Sequence, residues 1–145
     1  MNVNKIVVHH SATNAVTTTV SSIKNGHLKK GYSDIGYHKV ILWNGEIKDG
    51  RSETSQGAHA KGANIGSLGV CLTGNFETES PSKEQKDSLV KLLTRWCKEH
   101  DLTTANIYAH SDTPGAKTAT LCCGKNLKSQ LLKIKGSVKE NLLSK

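Results

Sequence analysis

The sequence predicts an α/β domain in which a single mixed β-sheet is flanked by helices, with residues 1–145 forming one domain. Short apolar runs typical of buried strands alternate with longer stretches of helical periodicity. No repeat, linker or shift in composition divides the chain. Apolar residues make up only 35% of the chain, but they are clustered, and 145 residues can enclose a hydrophobic core. An ordered single domain is therefore expected.

The first half of the chain predicts three strands and one helix. Residues 5–9 form an apolar run that predicts a buried strand, and residues 17–30 predict a helix whose apolar face includes His27. Residues 37–43 predict a second strand. Asn44-Gly45 is a strong hairpin signal, so residues 46–48 should return beside that strand. His27 lies outside the motifs described below and is expected at the surface.

The second half alternates between strands and helices. Residues 69–74 predict a buried strand, which follows a loop rich in small residues at 51–68. Ser82 and Gln85 have the spacing of a capping box and precede the clearest amphipathic helix. A further strand is expected at residues 106–109. After a loop at 111–124, residues 126–143 predict a last helix, whole or broken, with a lysine-rich outer face.

Charge and cysteine content narrow the class of protein. Lys and Arg outnumber Asp and Glu by 20 to 12, which suits a polyanionic partner such as nucleic acid, an anionic membrane surface or an acidic cell-wall polymer. The four cysteines are too few for a disulfide scaffold, and two of them are adjacent, which favours synthesis in a reducing cytoplasm. We expect no secretory signal and no insertion into a membrane, because no apolar run has the required length.

His9, His110 and Cys122 are the strongest candidates for a functional site. His9 ends the first predicted strand, His110 follows a later one, and Cys122 lies in the loop after it. Binding groups gather in the loops that follow strand ends. Two imidazoles and a thiolate are ligands that Zn²⁺ prefers, and three protein ligands leave a fourth position open for catalysis. His10 should point to the opposite face of the strand, so at most one of the two adjacent histidines is a ligand.

Several motifs carry a resemblance to a known family. They occur in this order: Val8-His9-His10-Ser11-Ala12-Thr13, Asp34-Ile35-Gly36-Tyr37-His38, Gly57-Ala58-His59-Ala60-Lys61-Gly62, Asn64-x-x-Ser67-x-Gly69-Val70-Cys71-Leu72-x-Gly74-Asn75-Phe76, and His110 before Cys122-x-Gly124. The chain resembles a zinc-dependent N-acetylmuramoyl-L-alanine amidase of the phage-lysozyme type, a family related to the peptidoglycan recognition proteins. The resemblance covers most of the chain, and five ordered motifs make it specific.

The resemblance implies roles for individual residues. His9, His110 and Cys122 would be the zinc ligands, and Tyr37 would support catalysis. Cys123 stands where the family's Cys-Pro-Gly stretch has proline, so this register makes Cys122 the ligand.

The resemblance also implies a lysine and a substrate-binding loop. The family often places a basic residue two positions before the cysteine ligand, where this chain has Thr120. Lys117 resembles that lysine displaced by a short insertion, with a solvated loop lysine as the alternative. Substrate contacts are expected from a small-residue loop and the asparagine that follows it, at His59, Ala60, Lys61 and Asn64.

The implied activity is that of an endolysin-like, bacteriolytic and antimicrobial hydrolase. It would cut the amide bond between N-acetylmuramic acid and the L-alanine of the peptidoglycan stem with zinc-activated water. The general base stays open between Tyr37, a metal hydroxide alone and an unlocated acid. We expect a monomer that is made in the host cytoplasm and reaches the wall on release. The alternatives are a peptidoglycan-binding module without catalysis and an amidase that also inhibits an RNA polymerase.

Overall fold

A single mixed sheet of five strands forms the centre of the protein, and three α-helices flank it, in a computed structural model that describes residues 1–117 and 119–144. The elements follow the chain as β1 (Lys5–His10), α1 (Val20–Lys29), β2 (Lys39–Ile41), β3 (Ile47–Asp49), β4 (Ser67–Leu72), α2 (Lys83–His100), β5 (Ile107–Ala109) and α3 (Lys125–Leu143). Short 3₁₀ turns at Thr104–Asn106 and His110–Asp112 flank β5. The predicted α/β class with one mixed sheet is confirmed.

The strand order is β3-β2-β4-β1-β5, with β1 between β4 and β5. All pairings are parallel except that of β2 with β3, which form an antiparallel hairpin at one edge. Since the carboxyl ends of β1, β4 and β5 lie at the same edge, the segments that follow these strands meet there. His9 lies at this edge in β1, and His110 directly follows the adjacent strand β5.

Successive side chains of β1 point to opposite faces of the sheet, so one face packs against the helices, the structural face, and the other carries the candidate site. Ile6 and Val8 belong to the main hydrophobic core, which includes residues of α2 and α3. Val7 points the other way and packs with Ala60 and Ala63, which lie in the loop before β4. His9 is two residues from Val7 and so shares its side of the sheet. This loop-covered side carries the candidate site.

The helix α2 anchors the structural face. Its N-terminus has the predicted capping box, in which the Ser82 side chain accepts from the Gln85 N–H and the Gln85 side chain accepts from the Ser82 N–H. One side of the helix is buried, with Leu89, Leu93 and Trp96 inaccessible to solvent. Burial of a leucine side chain contributes about 1.5–3 kcal/mol, so this face strongly stabilises the sheet–helix packing.

Element boundaries differ from the sequence prediction, and local hydrogen bonds explain why. The strand expected at 37–43 is only Lys39–Ile41. The Leu42 N–H donates to the Glu46 carbonyl and the Gly45 N–H donates to the Leu42 carbonyl, which makes the hairpin turn wider than expected. The first helix begins after Thr19, because the Asn14 side chain accepts from two N–H groups and forms a separate turn. The strand expected at 69–74 is Ser67–Leu72, shifted towards the N-terminus.

The C-terminal helix α3 is unbroken over 19 residues, which resolves the expectation of a whole or broken helix. It packs against α2 and buries Leu127, Leu131, Ile134 and Val138. Across residues 1–117 and 119–144, every helix falls short of the length or apolar character that crossing a bilayer needs.

Candidate functional site

His9, His110 and Cys122 come together at the carboxyl edge of the sheet. One potential ligand atom from each residue lies within 4.8 Å of the others. The His9 Nδ1 is 3.5 Å from the Cys122 Sγ, and the centroids of the His9 and His110 rings are 4.6 Å apart. The three residues could therefore hold one metal ion.

Backbone contacts position Cys122 beside the end of β1. The Ser111 N–H donates to the Cys122 carbonyl at 2.8 Å, and the His10 N–H donates to the Cys122 Sγ at 3.3 Å. The Thr120 hydroxyl accepts from the Cys122 N–H at 3.1 Å. The neighbouring Cys123 is fully buried in the main hydrophobic core. Of the two adjacent cysteines, the structure therefore places Cys122 in the cluster.

Burial sets the protonation states of the three residues. It lowers the pKa of His9 well below its usual value, and the charges of His59 and His110 lower it further. Burial also lowers the pKa of His110. Both rings are thus neutral near neutral pH and have a lone pair for a metal. Burial raises the pKa of the Cys122 thiol to about 12, so the free thiol keeps its proton near neutral pH. Binding of a metal cation to the sulfur would release that proton to solvent.

Tyr37 lies directly against this cluster. Its ring centroid is 4.9 Å from that of His9, and it immediately precedes His38, whose N–H donates to the Gly69 carbonyl. Burial, and then the nearby Cys71, raise the pKa of the Tyr37 phenol well above its usual value. Tyr37 therefore keeps its proton at neutral pH and can donate a hydrogen bond.

An open groove leads away from the cluster past Tyr37. The groove is lined by residues of α1 and of two loops, together with one member of the cluster: His27, Lys30, Tyr32, Tyr37, Ala58, His59, Ala60, Lys61, Asn64 and His110. The four residues predicted to contact substrate are thus brought together along it. An extended ligand in this groove would pass beside the candidate metal ligands.

The four predicted substrate contacts are not equally free to bind. Lys61 is exposed, whereas Ala60 is fully buried. The side-chain oxygen of Asn64 accepts from the N–H groups of His59 and Ala60 at 2.9 and 2.8 Å. His59 is only 8% exposed and bonds to His9. Asn64 and His59 therefore hold the loop and the cluster, and Lys61 offers the accessible charge.

Lys117 lies beside the same loop. Its N–H donates to the Lys61 carbonyl at 2.8 Å, and its side chain passes over Gly62, where a Cβ would be 2.6 Å from the Lys117 Cγ. The side chain is exposed. These contacts place Lys117 at the rim formed by residues 61–62. Its role in catalysis stays a prediction.

His38 has a hydrogen-bonding role beside the cluster. Its Nδ1 accepts from the Gly69 N–H at 3.0 Å, and its Nε2 bonds to the Ser55 carbonyl at 2.8 Å. It thereby joins the 51–57 loop to β4 beside the cluster. Both ring nitrogens are occupied by the backbone.

His27 is a groove residue that the sequence reasoning missed. It was expected at the surface, but its ring is half-buried and lies 5.3 Å from that of Tyr37 and 5.2 Å from that of Tyr32. Its Nδ1 accepts from the Gly36 N–H at 2.8 Å. The signal that could have found it is its position on the apolar face of the predicted helix.

Arg51 is a second residue that the motifs did not identify. Its guanidinium donates to the carbonyls of Ile35, Gln56 and Asp34 at 2.9, 2.7 and 3.3 Å. The backbone N–H of Arg51 also donates to the Tyr37 carbonyl at 2.8 Å. Arg51 thus fixes the segment that presents Tyr37 to the cluster.

Comparison with known proteins places this chain in a family. The family described as N-acetylmuramoyl-L-alanine amidase matches residues 1–125. The chain is 37% identical over 105 residues to peptidoglycan-recognition protein SD of Drosophila simulans, a match that covers 68% of this chain and 56% of that protein. It is 37% identical over 101 residues to the endolysin of Escherichia phage T7, covering 63% of this chain and 67% of that protein.

A solved structure agrees with these sequence matches. The N-acetylmuramoyl-L-alanine amidase LysC from Clostridium intestinale URNW superimposes with a TM-score of 0.85 at 33% identity, covering 95% of this chain and 86% of that one. The fold and the site thus define a chain of the amidase and peptidoglycan-recognition class. The chain belongs to the N-acetylmuramoyl-L-alanine amidase family.

We predict that Arg51→Lys lowers the free energy of unfolding by about 1–3 kcal/mol, because a lysine ammonium cannot reach three separate carbonyls. Chemical denaturation measures this change. Arg95→Lys is the matched control: Arg95 pairs with Glu53 and Glu99 from a half-exposed position, where ion pairs contribute little. Equal stability of the two variants would contradict the assigned role of Arg51.

Proposed function

We propose that this protein is a peptidoglycan hydrolase that cuts the amide bond between N-acetylmuramic acid and the L-alanine of the stem peptide, using zinc held by His9, His110 and Cys122. One observation carries the proposal. In a chain of the amidase family, two neutral imidazoles and a thiol converge at the head of an open groove. An endolysin-like role agrees with the similarity to phage endolysins.

The geometry of the cluster fits zinc. Tetrahedral zinc with ordinary Zn–N and Zn–S bonds separates its nitrogen and sulfur ligands by about 3.5 Å. The His9 Nδ1 and the Cys122 Sγ are 3.5 Å apart, and the third ligand atom lies within 4.8 Å of both. Two nitrogens and one sulfur favour zinc over Mg²⁺ and Ca²⁺, which take oxygen ligands. Three protein ligands would leave a fourth coordination position for water or substrate.

In the proposed mechanism, the residues around the cluster orient the scissile amide and stabilise its developing charge. Zinc, when bound, supplies Lewis acidity that polarises a carbonyl and makes water nucleophilic near neutral pH. Tyr37, which keeps its proton, donates a hydrogen bond to the carbonyl oxygen as negative charge develops there. The raised pKa of the same phenol argues against Tyr37 as the general base.

The groove would hold the peptide stem. Lys30 and Lys61 are exposed along it, and their ammonium groups attract an acidic peptide. Ala60 is buried, but Ala58 and Gly62 in the same loop are accessible and small, so they let a substrate approach the backbone closely. The expectations of a monomer and of release from the host cytoplasm stay predictions, and an RNA polymerase partner stays an alternative that no observation favours.

Digestion of purified peptidoglycan tests the bond that is cut. We expect new N-terminal L-alanine and no new reducing sugar ends, because a zinc site suits amide hydrolysis and glycosidases use paired carboxylates. Mass spectrometry and end-group labelling measure both products, with Cys122→Ser as the inactive control. New reducing ends without free alanine would contradict the proposal. Binding of muropeptide without any cleavage would favour the recognition-module alternative.

We predict that Cys122→Ser abolishes zinc binding and activity, whereas Cys123→Ser retains about one zinc per chain. The physical reason is that the Cys122 Sγ faces His9, while the Cys123 side chain lies in the hydrophobic core. Elemental analysis of the purified variants measures the zinc content. Loss of zinc from Cys123→Ser, with retention in Cys122→Ser, would show that the other cysteine is the ligand.

We predict that Tyr37→Phe lowers kcat by about tenfold to a thousandfold, the usual cost of losing one positioned hydrogen-bond donor. Zinc content should not change, because Tyr37 contacts the His9 ring without belonging to the ligand cluster. Steady-state assays on muropeptide measure kcat, and Tyr108→Phe, which removes a phenol from β5, is the control. Near-normal turnover in Tyr37→Phe would remove this tyrosine from the mechanism.

A further inference from the structure

The His59 ring joins the candidate metal cluster to the body of the protein. Its Nδ1 is 2.9 Å from the His9 Nε2, and its Nε2 is 3.2 Å from the Ser67 Oγ. The Ser67 hydroxyl is in turn 3.2 Å from the Asn64 carbonyl. His59 and Ser67 are both buried, so these bonds form away from bulk solvent.

Metal binding at His9 would determine which atom donates and which accepts in this series of hydrogen bonds. The His9 Nδ1 faces the Cys122 Sγ, and a nitrogen that binds a metal carries no proton. The His9 Nε2 must then carry the hydrogen and donate it to the His59 Nδ1. Since a neutral imidazole has one donor and one acceptor, the His59 Nε2 donates to the Ser67 hydroxyl. That hydroxyl donates to the Asn64 carbonyl, which is the last acceptor in this series of hydrogen bonds.

We propose that His59 is a positioning residue that fixes the tautomer and the ring orientation of His9 for metal binding. The inference rests on the proposed zinc site at His9, His110 and Cys122. It changes the role expected for His59 from the sequence, where it was a substrate contact. Because both of its ring nitrogens are bonded within the protein, the His59 side chain has no free polar atom to offer a substrate.

The neighbouring strand is shaped to admit the His59 ring. A Cβ at Gly69 would lie 2.6 Å from the His59 Cγ, and a Cβ at Gly57 would lie 2.6 Å from the His59 Cδ2. Any side chain at Gly69 would therefore push the ring away from His9. Close approach of the His59 ring is thus a reason for glycine at both positions.

Two substitutions at His59 separate its hydrogen bond with His9 from its hydrogen bond with Ser67. In His59→Asn, the side-chain oxygen can occupy the place of Nδ1 and still accept from His9. In His59→Gln, the amide reaches the place of Nε2 and leaves the His9 Nε2–H without its acceptor. The two side chains are both neutral amides, so each variant is the matched control of the other. Loss of such a partner weakens metal binding by about 10- to 100-fold.

The experiment measures zinc affinity by chelator competition, starting from the zinc-loaded full chain. We expect His59→Gln to bind zinc about 10- to 100-fold more weakly than wild type, and His59→Asn to bind it within about threefold. Long-range ¹H–¹⁵N NMR of the metal-free proteins should show His9 with its hydrogen on Nε2 in wild type and His59→Asn, and a mixture of tautomers in His59→Gln. The two metal-free variants should have similar thermal unfolding midpoints, since each keeps one of the two His59 hydrogen bonds.

Three results would overturn the inference. They are wild-type zinc affinity in His59→Gln, equal losses of affinity in both variants, and a His9 hydrogen on Nδ1 in the wild type. Absence of zinc binding by the wild type would instead refute the proposed zinc site. The NMR measurement would still decide the tautomer of His9 in that case, so the two failures are distinguishable.

Discussion

Parallel pairing of β1 with β5 is the constraint on which the rest of the site depends. The pairing aligns Val8 with Ala109, so the chain leaves both strands at the same edge with His9 and His110 side by side. No helix or loop has to reach across the sheet to bring these two residues together. The loop that follows β5 then needs only to return Cys122 to the end of β1, where the His10 N–H holds its sulfur.

Burial of several histidines on one side of a sheet requires compensation by hydrogen bonds. An unpaired buried polar group costs about 1–3 kcal/mol, so each ring must find partners within the protein. On this side, His38 bonds to the backbone at both ring nitrogens, and His59 bonds to His9 and Ser67. On the opposite face, the His10 Nδ1 accepts from the Phe76 N–H. The buried rings of His38 and His59 are thus hydrogen-bonded within the protein. This leaves the His9 Nδ1 and the Cys122 thiol to face each other at the head of the groove.

Much of this architecture could be predicted from the sequence, for identifiable reasons. The strand at residues 5–9 and the helix after Ser82 carry strong local signals, an apolar run and a capping box, and both are present. The convergence of His9, His110 and Cys122 could be predicted from their positions at or after strand ends together with the family motifs.

The remaining features depend on contacts that local patterns do not contain. The strand at Lys39–Ile41 is shorter than expected because the hairpin turn is wider than its Asn-Gly signal suggests. His27 and Arg51 gain their importance only when α1 and the 51–57 loop pack around Tyr37. The tie between His59 and His9 spans 50 positions along the chain and depends on the space left at Gly69.

The coordination sphere of the bound metal gives the most direct test of the account. X-ray absorption spectroscopy of the zinc-loaded protein should show one sulfur at about 2.3 Å and nitrogen or oxygen ligands at about 2.0–2.1 Å, the bond lengths expected of zinc with two histidines, one cysteine and an open position. Two sulfur ligands, or a sphere of oxygen and nitrogen alone, would contradict the assignment of His9, His110 and Cys122.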